Sequence, residues 1–585
     1  MSSSALIWIF LFLNYGEVGR GFAATQGPGA GTSSNNGGIG GAGGGHGGSG
    51  ATSGSFLGGL LYGSVAQPST MGSGGGNFVG NVAGAGGGVV RVQVSGAFTN
   101  DGAVLADGAS PGASAGAGSG GSVWITTPSL QGVGVISASG GVGGANTWGA
   151  GGGGRIAIDA PSGFNGTIRA FGGTGGNGRG GAGTVHYKRP GQTVELVYNN
   201  GGGTIGLTTL AAPLTFTGNV SMQNGVGFIH TPGDVNGVQI KINGNLTTDA
   251  SFSLPLNGRG YATNQGPGAG TPSSNGSVGG AGAGHGGKGG NSGGFSGGPV
   301  YGDPSKPTQL GSGGGSFVGN SAGSGGGAAR IFVTGTFAFD GSINANGTPA
   351  SNASGSGSGG SVWLVAGSLT GSGVVSANGG NVGGSWGPGG GGRIAVYSCD
   401  QQIPTSNFTV NQGLGGSTTA QPGSILFGSS GIAFSQQPPT ITTVVGQDIV
   451  LEVNASTTNA NPSVSYQWRR KNEFGAPVNL VEGDGGGRYV GVGTRTLRID
   501  NSTCGDSGEY DCLATDACGS FPSEAALLTV NTPADFNGDG FLTFEDFDEF
   551  VAAFEAGEAG ADFNGDGFLT FEDFDSYVLT FESGC

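Results

Sequence analysis

The sequence predicts a mainly β protein of several domains that ends in a small α-helical module. Three observations lead to this fold class. Of the 585 residues, 140 are glycine and only 9% are charged. The first 430 residues contain one sequence twice, with a shorter period inside each copy. Residues 533–585 hold 14 acidic residues and neither lysine nor arginine. A net charge of −16 with so few cations argues against nucleic-acid binding.

The N-terminal duplication is visible as a constant separation between matching motifs. TQGPGAGT at 25–32 returns as NQGPGAGT at 264–271, which is 239 residues later. The same separation relates the following pairs: His46 and His285, Tyr62 and Tyr301, Trp124 and Trp363. We therefore assign residues 20–190 and 259–430 as two glycine-rich repeats and residues 191–258 as connecting coils.

Each copy has an internal period of 32 residues. The pattern apolar-x-Ala-x-Gly begins at Val104, Ile136 and Ile168, and short alternating strands such as RIAI at 155–158 lie between these sites. A unit with two short strands cannot bury its apolar face alone, but stacked units can. The period predicts a duplicated β-solenoid, most simply a parallel β-helix, with glycine-rich loops on one side. An unstructured glycine-rich coat is the alternative.

The glycine-rich units resemble repeats of large bacterial exported proteins, in which GGGGRIAI-type strands alternate with G-x-I-x-A-x-GG turns. The resemblance implies that the protein is secreted or displayed on the cell surface by bacterial-type export. It implies no catalytic activity. At the N-terminus, ALIWIFLFL (5–13) has the length of a signal-peptide core and is too short for a transmembrane helix. Residues 1–19 are accordingly a signal peptide or a truncated first coil, and no later segment predicts a transmembrane span.

Residues 436–531 have less glycine and more aromatic and charged residues. DSGEYDC (506–512) and Trp468, 44 residues before Cys512, resemble the immunoglobulin fold, a β-sandwich with a buried tryptophan. Val453 stands where that fold usually has its first cysteine. The resemblance therefore implies that Cys512 pairs with Cys518 across a hairpin, and it leaves three cysteines unassigned: Cys399, Cys504 and Cys585.

The segment DFNGDGFLTFEDF occurs twice near the C-terminus, at 535–547 and 562–574. Its acidic and amide residues fall at positions one, three, five and twelve of a loop, with glycine at six and threonine at nine. This is the oxygen-ligand spacing of an EF-hand calcium loop. The predicted ligands of two Ca²⁺ ions are Asp535, Asn537, Asp539, Phe541 (carbonyl), Thr543, Asp546, Asp562, Asn564, Asp566, Phe568 (carbonyl), Thr570 and Asp573. The alternative is an acidic turn with side-chain caps and no metal.

A helix is predicted after each loop, because apolar residues recur at helical spacing from Phe547 to Phe554 and from Phe574 to Phe581. Neither loop has a preceding helix, and each ends in Asp rather than Glu. In these features residues 533–585 resemble the dockerin module, a pair of loop–helix calcium motifs. The resemblance implies docking to a cohesin-like partner through loop positions ten and eleven, which are Phe544 and Glu545, then Phe571 and Glu572. Because that family commonly has small hydroxyl residues there, these phenylalanines are also consistent with a different protein partner or with a core between the two motifs.

No catalytic site is predicted. The acids of the first 430 residues are scattered, and no Ser-His-Asp, zinc or phosphate-loop pattern is present. His46 and His285 lie in matching GHGG motifs and are expected to be loop residues, while Asp101 and Asp340 are expected in turns. The predicted function is a non-catalytic structural or adhesive protein attached through its calcium-dependent module. The alternative is a component that binds or degrades polysaccharide and is recruited by that module.

Overall fold

The structure is a computed structural model that describes most of the chain. The described residues are 7–10, 19–35, 39–112, 114–144, 148–161, 163–176, 178–274, 276, 278–351, 353–416, 418–428, 432–457, 464–472, 475–516, 518–538 and 542–583. The fold is mainly β and divides into two compact units, residues 1–429 and 430–585.

The first unit consists of strands joined by glycine-rich segments. Its strands are β1 (Ile7–Phe10), β2 (Val89–Val94), β3 (Ala97–Thr99), β4 (Ala103–Leu105), β5 (Ser122–Thr126), β6 (Ser129–Gln131), β7 (Val135–Ser137), β8 (Arg155–Asp159), β9 (Thr167–Arg169), β10 (Arg179–Gly180), β11 (Thr184–Lys188), β12 (Glu195–Asn199), β13 (Gly206–Thr209), β14 (Leu214–Thr217), β15 (Asn219–Gln223), β16 (Val226–Ile229), β17 (Val238–Asn243), β18 (Leu246–Thr248), β19 (Ser253–Pro255), β20 (Ala328–Ala338), β21 (Ser342–Asn344), β22 (Ser361–Thr370), β23 (Val374–Ser376), β24 (Arg393–Gln401), β25 (Phe408–Thr409) and β26 (Ser424–Gly428). A short 3-10 turn, Thr405–Asn407, precedes β25.

The strands of the first unit stack in register with the period of the sequence. Val104 pairs with Ile136, and Ile136 pairs with Ile168, all in parallel strands. In the second copy, Ile343 pairs with Val375 in the same way. Among the described residues, the first unit has a 14-stranded sheet, a 7-stranded sheet that contains Ile343 and Val375, a 3-stranded sheet (β4-β7-β9) that contains Val104, Ile136 and Ile168, and a 2-stranded sheet (β3-β6). Nearly all neighbouring strands in these sheets are parallel. The 32-residue spacing therefore predicted strand partners correctly.

Between these sheets lies an apolar interior. The alanines of the repeated motif are almost completely buried, and so are the preceding Ile136, Ile343 and Val375, with exposed fractions of 0–3%. Val104 and Ile168, at the same position of the motif, are partly buried. The connecting coils contribute larger side chains, and Tyr198, Phe228 and Phe252 pack edge-on or tilted against each other. Alternation of buried and exposed positions along each strand produces this interior.

The glycine-rich tracts lie mostly outside strands, as their prediction as loops requires, but they are buried. In the first copy they are segments 40–50, 72–76, 84–88, 114–122 and 148–154, most of whose residues are buried although few belong to strands. We call this set the glycine bundle. Its segments bond to each other through their backbones: Gly44 N donates to Ala117 O (2.9 Å) and Ala117 N donates to Gly149 O (2.9 Å). Backbone groups buried in this way need such partners.

The glycine bundle is possible because its segments have almost no side chains. A Cβ built on Gly116 would lie 1.9 Å from the carbonyl oxygen of Ala42, and one on Gly43 would lie 1.8 Å from that of Ala150. Both distances are shorter than any real Cβ contact. Glycine is therefore required there for close backbone approach, which a pattern of alternating apolar residues does not reveal.

At the N-terminus, Ile7–Phe10 forms strand β1, which pairs antiparallel with β2. These four residues are the only described part of the segment 1–18, so the prediction of a signal peptide over 1–19 falls mainly outside the described residues. Across the described residues, the structure has no helix with the length and hydropathy of a membrane span.

The second unit begins with a β-sandwich. Its strands are β27 (Ile432–Gln436), β28 (Ile441–Val444), β29 (Ile449–Glu452), β30 (Asn454–Thr457), β31 (Ser465–Lys471), β32 (Pro477–Asn479), β33 (Tyr489–Val490), β34 (Thr496–Ile499), β35 (Gly508–Asp516), β36 (Gly519–Pro522) and β37 (Ala526–Asn531). One sheet has the order β28-β37-β35-β31-β32, with β36 beside β35, and the opposing sheet is β29-β34-β33. Trp468 is fully buried between them, as the immunoglobulin resemblance implies.

The sandwich contains one short helix and is followed by two longer ones. Their bounds are α1 (Asp484–Gly487), α2 (Phe544–Ala556) and α3 (Phe571–Ser583), and two 3-10 turns lie at Cys504–Asp506 and Ala559–Ala561. Helices α2 and α3 begin one residue after Thr543 and Thr570, the ninth positions of the two predicted loops. The predicted loop–helix order is therefore present twice.

Candidate calcium-binding loops

The two candidate loops run from Asp535 to Asp546 and from Asp562 to Asp573. The second loop is described completely. The first is described except for residues 539–541, so the predicted ligands Asp539 and Phe541 lie outside the described residues. All other predicted ligands can be placed.

The last residue of each loop is held by the loop that precedes it. Asp573 Oδ2 accepts from Thr570 N (2.8 Å), and its Oδ1 accepts from Asn564 N (3.1 Å). Asp546 makes the same bonds 27 residues earlier, to Thr543 N (2.8 Å) and Asn537 N (3.2 Å). Both side chains are fully buried. Each aspartate thus ties the start of its loop to the start of its helix, like the acidic residue of a capping box.

These backbone donors keep both carboxylates ionised. The N–H groups of Thr570 and Asn564 lower the pKa of Asp573 below its ordinary value. Burial acts to raise the pKa of Asp546, but the N–H groups of Thr543 and Asn537 outweigh burial and the pKa is lowered. A negatively charged oxygen ligand is therefore present at position twelve of each loop.

The other side chains of the second loop are turned toward its own backbone. Asp562 Oδ2 accepts from Gly567 N (2.8 Å), Asn564 Oδ1 from Asp566 N (2.9 Å), and Asp566 Oδ1 from Phe568 N (2.8 Å). The second oxygen of the first residue differs: Asp562 Oδ1 is buried and has no hydrogen-bond partner. A buried carboxylate oxygen without a donor is costly unless a cation satisfies it.

The predicted ligand atoms are of the type that calcium prefers, because every ligand would bind through oxygen and none through nitrogen or sulfur. Those that the structure describes do not surround a common centre. Within the part of the chain that the structure describes, no three His, Cys, Asp or Glu side chains are grouped closely enough to hold a metal ion. Ion binding would require Asp562 and Asp566 to turn from the backbone N–H groups toward a common centre.

Behind the loops lies an aromatic core built from equivalent residues of the two motifs. Phe550 and Tyr577, which are 27 residues apart, stack face to face with ring centroids 3.8 Å apart. Phe547 and Phe574, also equivalent, contact each other at 6.2 Å. Contacts between equivalent residues place a pseudo-twofold axis between α2 and α3. Tyr577 also donates its hydroxyl to Ala534 O (3.0 Å), just before the first loop.

In the described part of this module, four large apolar side chains remain exposed. Phe544 and Phe571 at position ten, together with Phe568 and Leu579, have exposed fractions of 68–79%. Each position-ten ring touches a phenylalanine near the end of the other helix, Phe544 with Phe581 and Phe571 with Phe554. Phe544 and Phe571 therefore do not belong to the core, and they form two equivalent apolar projections.

The predicted disulfide between Cys512 and Cys518 is wrong. Cys512 is a free, buried thiol beside Trp468, and burial raises its pKa to about 12. Cys518 is disulfide-bonded to a different cysteine, and Cys399 and Cys504 are also disulfide-bonded. The hairpin register explains the error: Cys512 N donates to Ser523 Oγ (2.9 Å), so the residue beside Cys512 on the next strand is Ser523. Cys585 lies outside the described residues.

The tyrosine of DSGEYDC also occupies its expected place. Tyr510 donates its hydroxyl to Asp506 O (2.7 Å), which fixes the corner before β35. Val453, at the position of the missing cysteine, is fully buried in the same core as Cys512. Packing therefore replaces the inter-sheet disulfide of the immunoglobulin fold in this sandwich.

His46 and His285 lie in bends outside the strands, as predicted, but both side chains are fully buried. Their Nδ1 atoms contact the carbonyl oxygens of Gly120 and Gly359, each at 2.9 Å. Each ring also packs on the tyrosine of its copy, Tyr62 or Tyr301, with centroids 4.6 Å apart. Burial lowers the pKa of both histidines to about 4, and a nearby arginine adds to the effect. Both are neutral packing residues, His46 in the glycine bundle and His285 at the equivalent place of the second copy.

Asp101 and Asp340 link successive units at turns, in agreement with their prediction. Asp101 Oδ1 accepts from Val133 N (3.1 Å), and Asp340 Oδ1 accepts from Ser372 N (2.8 Å). In both copies the donor lies 32 residues after the aspartate. Because their carboxylates bond to backbone groups of the next unit, these residues stabilise stacking.

Comparison with known proteins identifies one part of the chain. The family model described as "Immunoglobulin domain" matches residues 433–516. Among solved structures, the tandem Ig repeats of Dlar are 21% identical, with 20% of this chain and 58% of that chain covered and a TM-score of 0.15. Extracellular domains 3–5 of Drosophila OTK are 22% identical, with 20% and 38% covered and a TM-score of 0.16. The aligned part thus spans less than two thirds of either structure. No curated protein matches the chain.

Proposed function

We propose that this chain is an exported, non-catalytic structural or adhesive protein that is attached to a protein partner by its C-terminal module. In this proposal residues 20–430 form a duplicated parallel β-helix that acts as a spacer or surface, and residues 533–585 are a dockerin-like module that binds two Ca²⁺ ions. The immunoglobulin-like sandwich between them belongs to a fold with many roles, so its presence alone does not define the function.

The observation that carries the calcium proposal is the buried Oδ1 of Asp562, which has no hydrogen-bond partner. It stands at position one of a loop whose other predicted ligand atoms are oxygens. A divalent cation would supply the missing partner and neutralise part of the charge of the 14 acidic residues of the module. The residues that would hold the second ion are Asp562, Asn564, Asp566, the Phe568 carbonyl, Thr570 and Asp573.

The first loop repeats the same ligand types, and the described part of it repeats the bonds of Asp573 at Asp546. The equivalent ligands there are Asp535, Asn537, Asp539, the Phe541 carbonyl, Thr543 and Asp546. Because the two motifs share one aromatic core, an ion in each loop would fix the start of one helix against the other. Ion binding is therefore coupled to folding of the module in this proposal.

Phe544 and Phe571 support the attachment role. They are exposed by nearly four fifths, and phenylalanine at such exposure is characteristic of binding surfaces when it lies in a repeated, rigid setting. Aromatic rings at loop position ten differ from the small hydroxyl residues common in dockerins. The partner is therefore a protein with apolar pockets, either cohesin-like or of another family.

Isothermal titration of the full chain with CaCl₂, after removal of metal by chelator, tests the calcium proposal. We expect two ions per chain for the native sequence and one for Asp562→Ala, because the first loop keeps its ligands. Asp575→Ala is the matched control, since Asp575 is an exposed aspartate of α3 outside the ligand set. The proposal fails if the native chain takes up no calcium, or if Asp562→Ala binds as the native chain does.

A further inference from the structure

A polar groove crosses three successive units of the second copy. It has a volume of about 520 Å³, within the range of small-ligand sites. Its side chains include five amides, Asn346, Asn378, Asn381, Asn411 and Gln412, and its lining contains no charged residue. The floor is backbone of the glycine-rich turns at 347 and 379–380. A groove of this kind presents hydrogen-bonding groups without net charge.

The four asparagines form a ladder in which the side-chain oxygens of Asn346, Asn378 and Asn381 are already bonded to the next unit. Asn346 Oδ1 accepts from Asn378 N (2.6 Å), and Asn378 Oδ1 accepts from Asn411 N (2.7 Å). Asn381 Oδ1 accepts from Leu414 N in the same direction (2.8 Å). Asn346 Nδ2 already donates one hydrogen bond to Ser376 Oγ (3.0 Å). Since the bonded oxygens are turned to the next unit, the groups that these amides can offer to the groove are their remaining N–H donors. Neighbouring donors are separated by one strand spacing, about 4.8 Å.

The first copy shows that stacking does not require amides. There Asp107 occupies the place of Asn346, and its Oδ1 accepts from Ser139 N (2.6 Å), as Asn346 does from Asn378. Ser139 in turn replaces Asn378, and Phe171 replaces Asn411. The unit-to-unit bond is therefore made by a carboxylate in one copy and by amides in the other. The row of amide nitrogens is an additional property of the second copy.

We propose that this groove binds a neutral polysaccharide strand that lies along the asparagine ladder. Sugar hydroxyl and ring oxygens are acceptors for the amide N–H groups, and their regular recurrence along a glycan matches a row of equally spaced donors. Leu414 is 67% exposed at one side of the groove, and Pro349 is exposed at another. Both can pack against the apolar faces of sugar rings. The absence of charge in the lining favours neutral over acidic glycans.

The binding site lies wholly in the first compact unit and does not depend on the calcium loops. Affinity electrophoresis of the full chain tests it, using native gels that contain a soluble β-glucan, a galactomannan or, as the acidic arm, polygalacturonate. All gels contain chelator, so that a failure of calcium binding leaves the result unaffected. We expect at least one neutral polysaccharide to retard the native chain.

The decisive variant is Asn378→Asp combined with Asn411→Asp. Aspartate keeps the shape and the Oδ1 acceptor that stacks on the next unit, but it removes the N–H donors, so we expect binding to weaken at least tenfold. Asn257→Asp is the matched control, because Asn257 accepts from Asn346 N (2.9 Å) in the same ladder but does not line the groove. Thermal melting of all variants checks that stacking is retained.

Three outcomes would overturn the proposal. The first is that no neutral polysaccharide retards the native chain. The second is that the double variant is retarded as strongly as the native chain while its melting temperature is unchanged. The third is retardation by polygalacturonate alone, which would assign the groove to an acidic ligand. If the double variant has a lower melting temperature than the native chain, Gln412→Glu is tested in its place. This substitution removes an amide donor that takes no part in the described ladder bonds, and we expect it to weaken binding.

Discussion

The glycine bundle and the C-terminal module achieve a packed interior by opposite means. In the glycine bundle, backbone segments lie so close that a Cβ on Gly116 would be only 1.9 Å from the carbonyl oxygen of Ala42. In the module, large rings such as Phe550 and Tyr577 stack between two helices. The first interior is held by hydrogen bonds between backbones and the second by burial of aromatic area.

The comparison indicates which changes would destabilise each region. The glycine bundle has no room for an added side-chain atom, but the backbone hydrogen bonds that hold it need no bound ion. The module tolerates many surface changes, but its 53 residues include 14 acidic ones, and a core of this size gives only a few kcal/mol of stability. The dependence on a cation that we propose for the module would follow from that composition.

The largest expected effect is that of adding one methyl group to the glycine bundle. Gly116→Ala would place its Cβ 1.9 Å from Ala42 O, and neither backbone can move without breaking its own bonds. We expect a loss of more than about 5 kcal/mol in the free energy of unfolding of the first unit, at the extreme of single substitutions. Gly102→Ala is the control, because a Cβ there has nothing within 4 Å. Urea unfolding measures both, and equal stability of the two variants would contradict a close-packed bundle.

A smaller effect is expected from removing one ring of the module. Phe550→Ala leaves a cavity under Tyr577 and should cost about 3–5 kcal/mol, enough to unfold α2 and α3. Phe544→Ala removes a ring that is 79% exposed and should change stability by less than about 0.5 kcal/mol. Circular dichroism of the two variants at matched calcium concentration makes the comparison. A similar loss of helix in both would show that Phe544 belongs to the core.

The next effect is the dependence of the first unit on pH. His46 and His285 have pKa values of about 4 in the folded chain, compared with about 6.5 in the unfolded chain. The unfolded state therefore binds protons more readily, and the stability from neutral histidine is complete above pH 6.5 and lost as pH falls toward 4. The loss is on the order of 3 kcal/mol for each histidine. Urea unfolding between pH 7 and 4 measures it, and His285→Gln should reduce the slope.

Sequence reasoning succeeded where side chains repeat at a fixed spacing. The 32-residue period placed Val104, Ile136 and Ile168 in paired strands, and DSGEYDC with Trp468 identified the sandwich. The repeated cassette also predicted the order of loop and helix. Helices α2 and α3 begin at Phe544 and Phe571, three residues before the predicted apolar stripes, because Thr543 and Thr570 accept hydrogen bonds from Glu545 N and Glu572 N and cap the helices.

It failed where the deciding feature is not a side-chain pattern. Glycine tracts have the same sequence signature whether they are exposed loops or a buried bundle, so their burial and that of His46 were missed. The state of Cys512 depends on hairpin register, which placed Ser523 and not Cys518 beside it. The buried oxygen of Asp562 depends on how the loop closes on Gly567, which spacing alone does not determine.

Hydrogen exchange of the full chain with and without calcium tests the central claim most directly. Mass spectrometry would follow peptides from α2 and α3 beside peptides from the glycine bundle around 114–122. We predict that chelation removes protection from both helices and leaves the bundle unchanged, because only the module would need an ion to hold its shape. Full protection of α2 and α3 in chelator would contradict a calcium-dependent module.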